Sequence, residues 1–193
     1  MPRNAIIRRL LIGFWLVLGL SLVAAQAARA TEHDTFTYEE ILKKAEGFFG
    51  TTTEGLAKAI EKAFEEQGRP NAFIEGEEFG GAFFVGLRYG RGSLVRKEGP
   101  KLPVFWQGPS IGFDFGGNAA KTFVLVYRLA SPDDIFQRYP GVDGSFYFVA
   151  GVGVNYQRAG NVTLAPIRTG LGLRAGANVG YLHYNRQHSW IPF

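Results

Sequence analysis

The chain has 193 residues and no cysteine, so disulfides, cysteine-based zinc sites and cysteine nucleophiles are excluded. Its formal charge is +4, but four of the 21 basic residues (Arg3, Arg8, Arg9, Arg29) lie in the first thirty. Without them 17 basic residues face 17 acidic ones, and the basic balance that would point to nucleic acid disappears.

Those first thirty residues read as an export leader. Arg3, Arg8 and Arg9 precede an apolar run from Leu10 to Ala25, and two A-x-A sites follow at Ala25–Ala27 and Ala28–Ala30. That order is the basic region, apolar region and cleavage site of a secretory signal peptide. The run is shorter than the roughly 20 residues of a membrane-spanning helix. The expectation is cleavage before Thr31, a periplasmic product with no spanning segment, and one domain over 31–193.

Charge is uneven after the leader. Residues 31–80 carry 12 acidic and 5 basic side chains, and residues 81–193 carry 5 and 12. The acidic part has helical periodicity. "TYEEILKKAEGFF" pairs Thr37 with Glu40 as a capping box, then places Ile41, Leu42, Ala45, Phe48 and Phe49 on one side. "TTTEGLAKAIEKAFEEQGRP" repeats the pattern, with Thr51 and Glu54 as the box and Leu56, Ala59, Ile60, Ala63 and Phe64 as the apolar face. Gly68 and Pro70 end it. "EGEEF", Glu75 to Phe79, reads as a charged loop ahead of the first strand. It could attract a cation, but it lacks the D-x-D ligand ladder of a calcium loop.

From about residue 79 the period changes to two. "AFFVGLRYG" separates Phe83, Val85, Leu87 and Tyr89 from Phe84, Gly86 and Arg88. "SIGFDFGG" separates Ile111, Phe113 and Phe115 from Gly112, Asp114 and Gly116, then turns into "KTFVLVY". "SFYFVAGVGVNYQ" and "IRTGLGLRAGANVGYLHY" alternate in the same way. Such segments argue an antiparallel sheet. "SPDDIFQRY" interrupts them with a short helix, Ser131 capping and Pro132 in first position. "GPSIGFDFGGN" matches neither phosphate-loop spacing. Glycine at alternate positions marks a crowded or tightly curved face instead. The fold expected is mainly β with N-terminal helices (α+β): a small antiparallel barrel packed with two helices, and one short helix between strands.

Asp114 then points into a glycine-lined face, where a buried carboxylate needs a partner. Arg88, Lys121, Arg168 and Arg174 are the available cations. Trp106, in "LPVFWQGPS", lies beside the glycine strand and suits either core packing or an apolar pocket. The candidate ligand-binding residues are thus Trp106, Asp114, Arg88 and Lys121. No catalytic set is recognisable, no metal site and no cofactor are expected, and His183 and His188 lack acidic neighbours for a metal. The terminal Phe193 raises an outer-membrane barrel as an alternative. About eight strands of 9–11 residues would nearly exhaust the chain after residue 80, before any loops.

"GRPNAFIEGEEFGGAFFVGLRYGRGSL", "PSIGFDFGGNAAKTFVLVY" and "GVDGSFYFVAGVGVNYQRAGNVTLAPIRTGLGLRAGANVGYLHY" resemble the EipA family of alphaproteobacterial envelope integrity proteins. The resemblance covers roughly 36–193. It implies a periplasmic barrel with a role in envelope integrity, and it carries over no catalytic residues. The order of elements also resembles the SYLF lipid-binding domain, which implies contact with lipid. The functional expectation is a non-enzymatic envelope protein that binds a lipid or an envelope precursor. Its alternatives are a protein-interaction module with no small ligand, and an enzyme on envelope polymers using Asp114 and Glu75–Glu78.

Overall fold

The computed structural model describes residues 34–50, 53–82, 85–111, 120–142, 147–169 and 180–189. Two helices come first, α1 (Tyr38–Phe49) and α2 (Glu54–Gln67). Ten strands follow among the described residues: β1 (Ala72–Ala82), β2 (Val85–Arg96), β3 (Leu102–Ile111), β4 (Ala120–Tyr127), β5 (Arg138–Pro140), β6 (Tyr147–Val149), β7 (Val152–Val154), β8 (Gln157–Ala159), β9 (Val162–Thr169) and β10 (Tyr181–Asn185). A 3-10 turn at Pro132–Ile135 separates β4 from β5.

The helices form where local chemistry favours them. Thr37 accepts from the Glu40 amide while the Glu40 carboxylate accepts from the Thr37 amide, which completes the expected capping box. The second helix starts later than its sequence indicates. Thr53, not Thr51, is the cap, and its hydroxyl accepts from the Leu56 amide at 3.1 Å. Glu54 is then the first helical residue, where a carboxylate meets the positive end of the helix dipole. Thr53→Ala is expected to cost about 1 kcal/mol by removing that cap, measurable as a shifted urea midpoint.

All ten strands belong to one antiparallel sheet in the order β5-β10-β3-β2-β1-β4-β9-β7-β6, with β8 also paired to β9. The sheet curls until its β5 edge reaches β8, the strand beside β9: Gly141, just after β5, bridges Gln157 at the start of β8, and the Val142 amide donates to the Tyr156 carbonyl at 2.9 Å. The barrel expectation therefore holds. Among the described residues no helix is long and apolar enough to cross a membrane, which leaves crossing by strands unaddressed.

The alternation of β1 sorts two cores. Ala72 and Ile74 face inward with Leu94, Val104, Trp106, Val124, Val126, Leu164, Leu182 and Tyr184. Phe73 faces outward, beneath the helices, with Phe123, Leu125, Tyr127, Ala165 and Ile167. Phe73 stacks on Phe123 at 5.1 Å, and the Tyr127 hydroxyl donates to the Ala63 carbonyl of α2. The apolar faces of the helices are thus consumed by the barrel's outer wall.

Three local expectations need correction. Glu75–Phe79 is not a loop: it is the centre of β1, paired with β2 on one side and β4 on the other. "AFFVGLRYG" is not one strand, because β1 ends at Ala82 and β2 begins at Val85 in an antiparallel hairpin. "SFYFVAGVGVNYQ" is likewise a hairpin. Ala150 and Gly151 both take positive φ, 43° and 86°, between paired Val149 and Val152. Two such residues match the right-handed twist of a tight hairpin. Asp114, Arg174, the leader and Phe193 lie outside the described residues.

Candidate functional site: a charged layer inside the barrel

Four side chains converge at one level of the barrel interior. Glu78 projects inward from β1, two positions past Gly76, and is 7% exposed. On β2 the inward phase carries Arg88, Gly90, Gly92 and Leu94. β9 contributes Arg168, opposite Thr122 of β4, and β3 contributes Trp106.

Glu78 is the hub. Its Oε1 accepts from Arg168 Nε at 3.1 Å and pairs with Arg88 Nε at 3.0 Å. Its Oε2 accepts from the Trp106 indole N–H at 3.0 Å and from Arg168 Nη2 at 3.4 Å. Burial pushes this carboxyl up; Arg168, Arg88 and the indole N–H together overcome burial and hold it below the usual glutamate value. Glu78 therefore stays ionised at neutral pH, as a buried carboxylate with strong partners should.

Glycine makes room for this layer. A Cβ on Gly90 would sit 1.9 Å from Trp106 Cε2, and one on Gly76 would sit 2.6 Å from Trp106 Cη2. The indole lies against bare backbone of β1 and β2, which is why those strands alternate with glycine. Tyr184 stacks on the other side of Trp106 at 5.6 Å, and Tyr139 meets Tyr184 edge-on at 5.5 Å. The Tyr139 hydroxyl donates to the Asp134 carbonyl of the 3-10 turn, and burial pushes it up to about 12. Trp106, Tyr184 and Tyr139 are all buried, and their rings line the barrel interior at these levels. Beside Arg168 the Thr122 hydroxyl, 1% exposed, has no hydrogen-bond partner among the described residues.

Of the four residues expected to form a site, Trp106 and Arg88 do come together, on Glu78. Lys121 does not join them. It points outward, donates to the Phe48 carbonyl at the end of α1, and lies over the Phe48 ring. Lys121 thus ties α1 to β4. Asp114 falls outside the described residues. Glu78 and Arg168 are the members that the site expectation left out. The signal for Glu78 was present: Phe73, Glu75, Glu77 and Phe79 alternate with Ile74, Gly76 and Glu78, which puts one glutamate in the apolar phase.

Among the described residues no three histidine or acidic side chains are grouped to hold a metal. His183 sits on β10 beside Arg138, and partial burial together with that cation depresses its pKa.

A sequence model of the EipA family, described as envelope integrity protein A, matches residues 34–193. No curated protein matches the chain. The crystal structure of a beta-barrel-like, uncharacterised protein from Brucella abortus is similar over 83% of this chain and 99% of its own length. Its sequence identity is 48% and its TM-score 0.76.

Proposed function

Since the chain belongs to the EipA family of envelope integrity proteins, we propose that it supports the cell envelope from the periplasm without catalysis, by holding a lipid or an envelope precursor. The charged layer carries this reading. Arg88 and Arg168 bring two guanidiniums to the single Glu78 carboxylate, which leaves the layer one positive charge in excess, and the Thr122 hydroxyl beside Arg168 is uncommitted. Those are groups that an anionic head would meet, and guanidinium is the side chain best shaped for phosphate or carboxylate. The basic opening of the sequence, with its apolar run and A-x-A sites, supports export. The depressed pKa of Glu78 supports a role other than proton donor, since a general acid near neutral pH needs its pKa raised.

A second reading is an interaction module with no small ligand. The packing of Trp106, Tyr184 and Tyr139 favours it, as do Phe79 and Leu87, each 40% exposed on the outer wall. Native mass spectrometry with lipid extraction separates the two, on the chain expressed with its own N-terminal segment and purified without detergent. A discrete additional mass, identified as an anionic lipid or precursor, is the outcome expected of a carrier. A clean protein mass overturns that reading in favour of the interaction module.

A further inference from the structure

The outer wall of the barrel carries a groove of about 340 Å³ across β1, β2 and β3. It is separate from the interior layer and independent of any ligand there. Its floor is the backbone at Gly76 and Gly92, and its side chains are Glu75, Glu77, Arg91, Ser93 and Phe105. The groove is shallow and open to solvent, so it would hold a ligand along one side and not enclose it.

We propose that this groove binds a short neutral saccharide, a pyranose oligomer. Each sugar hydroxyl both donates and accepts, and a pyranose ring also has an apolar C–H face. A matching site needs carboxylate acceptors, guanidinium or hydroxyl donors, and an aromatic wall. All three are here. Glu75 and Glu77 project from the same face of β1, Arg91 and Ser93 project from β2 opposite them, and Phe105 forms the wall on β3.

The charges cancel locally, so the groove is not built for an ion. Arg91 pairs with Glu77 and Lys101 with Glu75, both at 3.5 Å. Those contacts are longer than the ~2.7–2.9 Å of a committed charge-assisted bond. Incoming hydroxyls can therefore replace them at little cost.

Other ligand classes fit less well. An extended peptide would need a free strand edge, but β1, β2 and β3 are each paired on both sides. An acyl chain would need apolar walls, and here only Phe105 is apolar. A rigid floor favours sugar binding as well: Gly76 and Gly92 approach so closely that a Cβ on Gly92 would lie 2.4 Å from the Glu75 carbonyl.

The test is an NMR titration of the ¹⁵N-labelled chain, expressed with its own N-terminal segment. The probes are a β-1,4-linked N-acetylglucosamine tetramer, a mannose tetramer and, as a cation control, spermine. The expected result is saturable shifts at the amides of 75–77, 91–93 and 105 with at least one saccharide. Glu77→Gln and Phe105→Ala should each weaken that binding by about tenfold or more, with melting temperature little changed. A response to the N-acetylglucosamine tetramer alone identifies a wall-type glycan, and a response to the mannose tetramer identifies an outer-polysaccharide type. The proposal is overturned by no saturable shift at about 10 mM saccharide, by shifts elsewhere on the barrel, by a response to spermine alone, or by variants that bind as tightly as the parent.

Discussion

Glu78→Ala is expected to destabilise the protein by about 3–5 kcal/mol, because it leaves two guanidiniums in the barrel without their shared carboxylate. Arg168 is 5% exposed, so water cannot replace the lost partner at that site. The indole N–H of Trp106 loses its acceptor in the same step. Glu78→Gln separates charge from shape: it keeps an acceptor for the indole but removes the negative charge, and should fall between the parent and the alanine variant. Chemical denaturation at neutral pH measures all three.

The same group sets an acid limit. Its folded pKa lies below its unfolded value of about 4.3. Its contribution is therefore fully present above that value and is lost as pH falls through the folded pKa. Between pH 7 and about 5 the parent should show no stability change from Glu78. Below about 4 the parent should lose stability faster than Glu78→Gln, which has no carboxylate to protonate there. Parallel acid profiles for the two proteins would remove Glu78 as the hub of the layer.

The legible parts of this fold are those decided by local rules. Thr37 with Glu40, Ser131 with Pro132, and the apolar stripes of the two helices need no distant contact to take their form. β1 was illegible because its outward phase holds Glu75 and Glu77. Two glutamates in three residues read as a loop unless the opposite phase is weighed. Once β1 is a strand, Glu78 must point into the barrel, and a partner for it must come from across the interior. That partner, Arg168, lies 90 residues away. No spacing rule reaches that far, so Arg168 could be named as one available cation and no more. Lys121 shows the reverse error. It sits one residue from inward-facing Thr122, and a one-residue step in a strand changes the face.

Trp106 explains the glycines, and Gly90→Ala is the substitution expected to show it. The added methyl would fall within 1.9–2.3 Å of three atoms of the indole, Cε2, Cζ2 and Nε1. Trp106 cannot retreat. Tyr184 is stacked on it at 5.6 Å, and its N–H is held by Glu78. The backbone φ at Gly90 is not in the left-handed region, so the penalty is overlap and not strain of the chain. Overpacking of this kind costs about 1–3 kcal/mol and sometimes more, and a rigid ring trapped on both sides puts Gly90→Ala at the upper end. The cause can be isolated with a double-mutant cycle. Trp106→Leu alone should cost several kcal/mol, about 3–5 by analogy with other large-to-small core changes. Combined with Gly90→Ala it should be less destabilising than the sum of the two, because the methyl then occupies space the indole has left. A coupling of about 1–3 kcal/mol is expected. Additive losses would mean that Gly90 is required for the backbone of β2 and not to seat Trp106.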